Sequence, residues 1–397
     1  MRLPLILVTV VLLLGALVDW YICRAVRVRC RRHNAFWRRV ACYSAIGMAA
    51  ALLVVIIMPK KSAPEEAFLS VIWALYTYFS IYIAKYVFVL IDLLGKIPVL
   101  FGRKRLPGFG IAGIVAGLLV FAAFWWGALV NRYNIDVKEV EFAHPALPAA
   151  FEGFTIAQLS DMHVGTFGAD TAFMQEVVAK VNSLKPDVIV FTGDIVNRSS
   201  AELLPFVNTL AGLYAPCGVY SVLGNHDYGD YYSWPSPEDK AANMELMHNL
   251  QARMGWTMLN NESVTFYAGN DSLVLVGVEN IGDPPFPVYG NLDRAYAGDL
   301  NDEAYKVLLS HNPAHWNADI AESPDKNIPL TLSGHTHAMQ ITILGWSPAV
   351  FRYKTWGGMY ADSDCAHSLY VNTGIGEVGM PARIGATPEI TLITLRR

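Results

Sequence analysis

Five short strings between Asp161 and His337 carry the side chains with the most chemistry in this 397-residue chain. They are Ser160-Asp161-Met162-His163, Gly193-Asp194, Gly224-Asn225-His226-Asp227, Ser310-His311-Asn312-Pro313 and Gly334-His335-Thr336-His337. Carboxylates, imidazoles and an amide oxygen are the donors that two neighbouring divalent cations need, with one carboxylate shared between them. Asp194, isolated on a Gly turn, is the natural bridge. The two side chains of His335-x-His337 leave an extended segment in the same general direction, and Asp161-x-His163 repeats that spacing. Two such cations (Mn²⁺, Zn²⁺, Fe²⁺ or Mg²⁺) hold phosphate oxygens and lower the pKa of a bridging water, which is the chemistry of phosphoester hydrolysis. Asp227 has two readings, as the acceptor of the His226 ring N–H or as the cap of the segment that follows. Isolated His144, His248, His315 and His367 are read as ordinary residues, as is His33. Cys23, Cys30, Cys42, Cys217 and Cys365 show no C-x-x-C pair, so no thiolate zinc site is indicated, and Cys217 and Cys365 are read as free.

These strings follow short β-type runs: Phe154 to Leu159, Val188 to Thr192, Val219 to Leu223, Val307 to Ser310 and Leu330 to Ser333. Further runs are Leu273 to Val278, Leu369 to Thr373 and Ile390 to Leu395. Helical segments lie between several of them, among them Thr171 to Leu184 and Glu238 to Met254, the latter closed by Gly255. Strands alternating with helices predict an α/β layered domain over 135–397, with metal-type side chains at the carboxyl ends of buried strands.

Ahead of this domain the composition changes. With 53% apolar and 16% charged residues, part of the chain belongs in lipid. Four runs, 3–23, 40–58, 67–94 and 109–130, predict a membrane domain of four transmembrane helices over 1–131. Arg24, Arg27, Arg29, Arg31, Arg32, Arg38 and Arg39 lie between the first two runs, and Lys96, Arg103, Lys104 and Arg105 between the last two. The opposite loops carry Arg2, and Lys60 and Lys61 offset by Glu65 and Glu66. The positive-inside rule therefore predicts a multi-pass cell-membrane protein with an extracytoplasmic catalytic domain. Lys85 and Asp92 sit within the third run, and the expectation for Lys85 is a span that ends nearby, with the ammonium snorkelling to the interface. A transporter is disfavoured because the runs lack a set of polar residues lining a path. A net charge of -4 gives no footprint for nucleic acid.

The ordered motif set resembles the calcineurin-like metallophosphoesterase superfamily over nearly all of 154–397. The strings GFTIAQLSDMHVG and YVNTGIGEVGMPARIGATPEITLITL are similar to a bacterial membrane-anchored branch, which includes phosphodiesterases and, more remotely, enzymes that cleave the pyrophosphate of UDP-diacylglucosamine. The resemblance implies a four-layer αββα sandwich following the transmembrane helices. It also implies one metal on Asp161, His163, Asp194 and His337 and a second on Asp194, Asn225, His311 and His335. His226 matches the histidine that such enzymes place against the scissile phosphate as acid or charge stabiliser, with Asp227 beside it. Members of the branch commonly have Gly-Gly-Gln after Gly-His-Thr-His; this chain has Ala338-Met339-Gln340, a change expected to bear on substrate shape.

Substrate residues are expected on two loops, Ile281 to Asn301 with Pro284, Pro285, Phe286 and Tyr289, and Trp346 to Ala366. Arg352, Lys354 and Arg383 are the candidates for recognising an additional phosphate. The predicted partners are a phosphoester substrate, lipid-linked in one version, and the lipid bilayer. Two alternatives stand beside this: a UDP-diacylglucosamine-type pyrophosphatase with a cytoplasmic site, and a non-catalytic membrane binding module.

Overall fold

The computed structural model describes residues 5–29, 34–58, 62–282 and 287–397. Arg2, Leu3, Cys30, Arg31, Arg32, His33, Lys60, Lys61, Pro284, Pro285 and Phe286, named above, lie outside the described residues. The chain divides into two compact units, Met1–Ala128 and Leu129–Arg397.

The first unit is built from α1 (Leu5–Arg29), α2 (Asn34–Ile57), α3 (Glu65–Leu94) and α4 (Gly108–Leu129). Three of these contain stretches long and apolar enough to cross a membrane: Val8–Val26, Ala35–Ile57 and Gly108–Tyr133. α3 buries Val71, Ile72, Tyr76, Tyr78, Tyr82 and Val89 against the other helices. A Cβ on Gly113 or Gly117 of α4 would stand 2.9 Å from the carbonyl oxygen of Phe88 or Ala84, so glycine lets α4 lie directly on α3. Two ion pairs lie within this unit among the described residues. Lys85 Nζ is 2.7 Å from Asp19 Oδ1, and the Tyr82 hydroxyl donates to Asp19 Oδ2 at 2.7 Å. Asp92 accepts from Arg105 and from the Tyr21 hydroxyl. α3 continues past Lys85 to Leu94, and Asp19 of α1, unremarked in the sequence, is the partner the ammonium takes.

The second unit holds two six-stranded sheets. The first has the order β1 (Asp136–Ala143), β12 (Glu389–Arg396), β2 (Thr155–Leu159), β3 (Val188–Phe191), β4 (Val219–Ser221), β5 (Thr257–Met258). The second runs β10 (Gly358–Ala361), β11 (Ser368–Val371), β9 (Leu330–Ser333), β8 (Tyr305–Leu309), β7 (Asp271–Gly277), β6 (Glu262–Ala268). Side chains alternate along the strands and so sort into layers. Val188 and Val190 of β3 face Leu275, Val307 and Leu330 of the other sheet. Ile189 and Phe191 turn the other way, onto Phe173, Val177 and Val181 of α5 (Ala172–Leu184), Leu210 of α6 (Val207–Leu210), and Met247 and Leu250 of α7 (Pro237–Arg253). The outer face of the second sheet is covered by Leu292 of α8 (Leu292–Ala295) and by Trp316 and Ile320 of a single π turn. The result is a four-layer αββα sandwich with one thick and one thin helical layer.

Parallel pairing matters most for function. β2, β3 and β4 run parallel to one another, as do β7, β8, β9 and β11, so the loops leaving β2, β3, β4, β8 and β9 emerge from carboxyl ends.

Candidate metal centre

Backbone hydrogen bonds tie the β2 loop to the β3 loop and the β8 loop to the β9 loop. Asp161 N donates to Gly193 O at 2.9 Å, His163 N to Asp194 O at 3.2 Å, and Gly334 N to His311 O at 2.9 Å. Asp161 (φ 52°), His163 (43°), Asp194 (61°), His335 (73°) and His337 (51°) all adopt the left-handed region. A non-glycine residue there costs about 1–2 kcal/mol, so five together persist only because the neighbouring loops over-determine them. Gly193 turns the chain into Asp194 at φ 97°, where a Cβ would stand 2.6 Å from Gly224 N.

The side chains converge in two groups that could each hold a metal ion, Asp161 with His163 and His337, and Asp194 with His311 and His335. In the first, His337 Nε2 is 3.1 Å from His163 Nε2 and 3.2 Å from Asp161 Oδ1. In the second, His311 Nε2 is 3.2 Å from both His335 Nδ1 and Asn225 Oδ1. Asp194 Oδ2 lies 3.1 Å from His311 Nε2 and 3.6 Å from His163 Nε2, so one oxygen faces both groups. Donors about 3 Å apart are what a cation with ligands at roughly 2.1 Å requires. The nitrogen and oxygen set, without sulfur, fits a divalent first-row metal or Mg²⁺.

Second partners set the orientation of these donors. His311 Nδ1 is 2.8 Å from the Thr192 carbonyl, which leaves Nε2 for a metal. The Asn225 amide donates to the Tyr231 hydroxyl at 2.9 Å, turning its oxygen toward His311. His335 Nε2 is 3.4 Å from the Tyr353 hydroxyl. Asp161 accepts the His335 backbone N–H at 2.9 Å, and Asp194 Oδ1 accepts that of His226 at 2.8 Å.

Electrostatics favours charged carboxylates at Asp161 and Asp194 and neutral rings at His163 and His335. Burial would raise Asp161, but His337 and His311 together hold the carboxyl below its ordinary range. Burial likewise opposes ionisation of Asp194, and His311 and His226 overcome it. Burial pushes His163 well down; burial together with His311 takes His335 down to about 3. His311 behaves oppositely: burial lowers it, yet the Asp194 carboxylate lifts it to about 9.

A cavity of about 330 Å³ opens onto this cluster, bordered by Asp194, Asn225, His226, His335 and His337. Tyr231, Asn280, Asn312, Arg352, Tyr353 and Val378 complete its wall. His226 Nδ1 is 2.6 Å from the Asn197 carbonyl, and its ring stacks on Tyr231 at 4.2 Å.

Two expected placements are corrected. Asp227 does not meet the His226 ring. Its carboxylate accepts the backbone N–H groups of Asp194 (2.8 Å), Ile195 (2.9 Å) and Gly224 (2.9 Å), so it braces the turn that presents Asp194, and the ring is held by Asn197 instead. Burial and the Asp194 charge raise Asp227 to about 7 against those donors. Arg383 is fully buried rather than on a rim. Its guanidinium donates to the carbonyls of Gly376, Thr373 and Thr387, and Nη2 lies 3.5 Å from His337 Nδ1. Arg352 borders the cavity; Lys354 is exposed and outside the group of residues that line it. Ala338 and Met339 also lie outside that group. They adopt φ 50° and 48°, a backbone that glycine would take without strain.

Sequence reasoning missed Tyr231, Asn197, Asn280 and Asn312 as site residues. Asn312 belongs to the Ser-His-Asn-Pro string and Tyr231 follows Gly-Asn-His-Asp closely, so proximity to a motif was the available signal. Asn197 has the same mark, three residues after Gly193-Asp194, and Asn280 has none.

Residues 154–339 match the family described as "Calcineurin-like phosphoesterase", and residues 1–132 match "Probable Calcineurin-like phosphoesterase, transmembrane domain". The chain is 31% identical over 331 residues to "Transmembrane protein with metallophosphoesterase domain" of Danio rerio, covering 79% of this chain and 70% of that one. The chain belongs to the calcineurin-like phosphoesterase family. It is a membrane protein and a phosphoester hydrolase of that family. Two bacterial proteins are also similar. "Uncharacterized metallophosphoesterase YkuE" of Bacillus subtilis is 28% identical over 304 residues, 74% of this chain and 97% of that one. "UDP-2,3-diacylglucosamine pyrophosphatase LpxG" of Chlamydia trachomatis is 26% identical over 337 residues, 72% of this chain and 98% of that one.

Proposed function

We propose that this phosphoesterase works with two divalent cations, one on Asp161, His163, Asp194 and His337 and the other on Asp194, Asn225, His311 and His335, and cleaves a phosphodiester or pyrophosphate in preference to a monoester. The observation that carries the reading is the single Asp194 oxygen facing both donor groups, at 3.1 Å from His311 and 3.6 Å from His163. Divalent cations bound there supply Lewis acidity toward phosphoryl oxygens and lower the pKa of water. The chain's own groups do the rest. With Nδ1 committed to Asn197, His226 has Nε2 left to give a proton to the departing oxygen or to stabilise its charge. Tyr231 holds both the His226 ring and the Asn225 amide. Arg352, at the cavity wall, is placed for a second phosphate oxygen or a neighbouring phosphate, which favours a diester or pyrophosphate.

Hydrolysis of generic diesters, pyrophosphates and monoesters by the detergent-solubilised full chain with Mn²⁺, Zn²⁺ or Mg²⁺ tests this. Wild type is expected to be active and Asp194→Ala inactive with neither metal retained; an active, metal-depleted Asp194→Ala protein would refute the two-metal reading. His226→Ala is expected to keep its metals and lose about 10²-fold or more in kcat.

The arginine-rich segments support an extracytoplasmic domain. The similarity to the chlamydial protein supports the other reading, a cytoplasmic pyrophosphatase for a nucleotide-linked lipid. A reporter fused after Arg397 decides between them: activity of an exported-only reporter supports the first reading, and of a cytoplasm-only reporter the second.

A further inference from the structure

Large apolar side chains on the surface of the second unit are unevenly distributed. Six of them, Met339 (40% exposed), Ile343 (57%), Leu344 (103%), Trp346 (47%), Val350 (41%) and Phe351 (83%), fall within 339–351. Beyond Tyr133 the other exposed ones among the described residues, such as Leu204, Tyr214 and Tyr267, are spread along the sequence. Isolated exposed apolar residues need no explanation, but a contiguous group does.

The group is held together. Ile343 and Trp346 pair across a two-residue turn, Ile343 N donating to Trp346 O at 2.8 Å, with Leu344 and Gly345 at φ 51° and 80°. That is the geometry of a tight hairpin tip, and it puts Leu344 wholly into solvent. The Trp346 and Phe351 rings meet edge-on at 5.9 Å. Ser347 Oγ donates to Ala338 O at 2.5 Å and anchors the loop to the turn that follows His337. Folding has therefore spent rigid local structure on presenting these side chains to water.

A bilayer suits this loop better than a second protein surface. The loop is a protruding point rather than a flat face, and an aromatic and aliphatic tip above basic residues is the composition that enters an acyl boundary beneath anionic headgroups. Arg352 and Lys354 follow the tip directly and are both exposed, Arg352 lying over the Tyr353 ring at 5.1 Å. The chain carries helices long and apolar enough to cross a membrane, so this unit is covalently tethered to a bilayer. Arg352 and Tyr353 also line the cavity over His335 and Asp194, so the tip and the cavity wall are one continuous stretch of chain.

We propose that the Ile343–Trp346 turn, with Met339, Val350 and Phe351, enters the interface of the bilayer, and that the cavity takes a phosphoester whose apolar part stays in that membrane. The docking stands on the loop alone; the substrate class rests on the phosphoesterase reading above.

The test uses the full chain reconstituted in vesicles of phosphatidylcholine and phosphatidylglycerol. In a background with the native cysteines replaced by serine, Leu344→Cys is labelled with an environment-sensitive fluorophore. Blue-shifted emission quenched by lipids spin-labelled near the headgroup is expected. Water-like emission overturns the docking, and so does a blue shift that is unquenched and grows with protein density, which would mean self-association. Leu344→Asp with Phe351→Ser is expected to lower kcat/KM about tenfold or more for a lipid phosphodiester in the same vesicles, leaving a small water-soluble diester unchanged. Equal loss on both, or on neither, overturns the substrate class. A wild-type chain inert toward both substrates would instead refute the phosphoesterase reading, while the fluorescence result would stand independently.

Discussion

The two halves of the donor cluster are supported in different ways. Asp161, His163 and His337 are buried, and behind His337 lies a charged network: Arg383, then Glu377, then Arg132, whose guanidinium is 3.1 Å from Glu377 Oε2 with both side chains almost completely buried. Asn225 and His335 border the cavity, as His337 does, but are steadied by single hydroxyls, from Tyr231 and Tyr353, on the cavity's own wall. Buried charges brace one half, and hydroxyls of the cavity wall brace the other. The expected consequence is a metal position that exchanges slowly on the Asp161 side and readily on the Asn225 side.

The largest effect should come from the buried support. Arg132→Ala leaves Glu377 buried without its cation and is expected to cost the phosphoesterase unit about 3–5 kcal/mol. Denaturant unfolding of the full chain measures it, and Arg132→Met with Glu377→Leu should recover most of the loss. A loss no greater than that of an exposed pair would erase the contrast between the halves.

Proton release should distinguish them next. In the metal-free protein His311 is raised from 6.5 to about 9, so its pairing with Asp194 stabilises the fold fully below about pH 6.5 and fades as pH rises through about 9. A metal must displace that proton. Affinity on the Asn225 side should therefore strengthen about tenfold per pH unit from 7 to 9, with about one proton released. His163, pushed well down, contributes no such dependence on the other side. Calorimetric metal titrations in buffers of different ionisation enthalpy read this directly, and retention of the slope in His311→Gln would assign it elsewhere.

Removing one hydroxyl should act on one half only. Tyr231→Phe frees the Asn225 amide and is expected to weaken the more labile metal by about 10–100-fold, with the other metal unchanged in a competition assay. Equal weakening of both would mean that the halves are not separable. The smallest effect lies in the turn behind His337. Met339→Gly removes left-handed strain and should stabilise the unit by about 0.5–1 kcal/mol, measurable as a modest rise in denaturant midpoint.

The ligand strings could be located in the sequence because strand-end polar residues interrupt apolar runs, as Asp161 and Asp194 do after β2 and β3. The eight runs expected as strands correspond to β2, β3, β4, β7, β8, β9, β11 and β12. β1 and β6 escaped because edge strands covered on one face mix charged and apolar residues, as in Asp136-Val137-Lys138-Glu139, and β5 is two residues long. Supporting contacts were less legible for a different reason. Arg132 with Glu377, Asn197 with His226, and Asp19 with Lys85 are far apart in sequence, and nothing in a lone arginine or asparagine distinguishes a buried brace from a solvated side chain. Arg383 shows the same limit: read as a cation for an additional phosphate, it is buried among carbonyls.

β12 follows every other strand in the chain yet lies between β1 and β2, in parallel with the first and antiparallel to the second. As the polypeptide leaves the ribosome, the sheet that carries Asp161 and Asp194 therefore has an open seam until its last strand arrives. The membrane helices precede the five proposed ligand loops in the chain, and the sheet behind those loops closes only once β12, beyond all of them, has been made. A chain interrupted before Glu389 would hold every ligand and still lack the sheet that positions them.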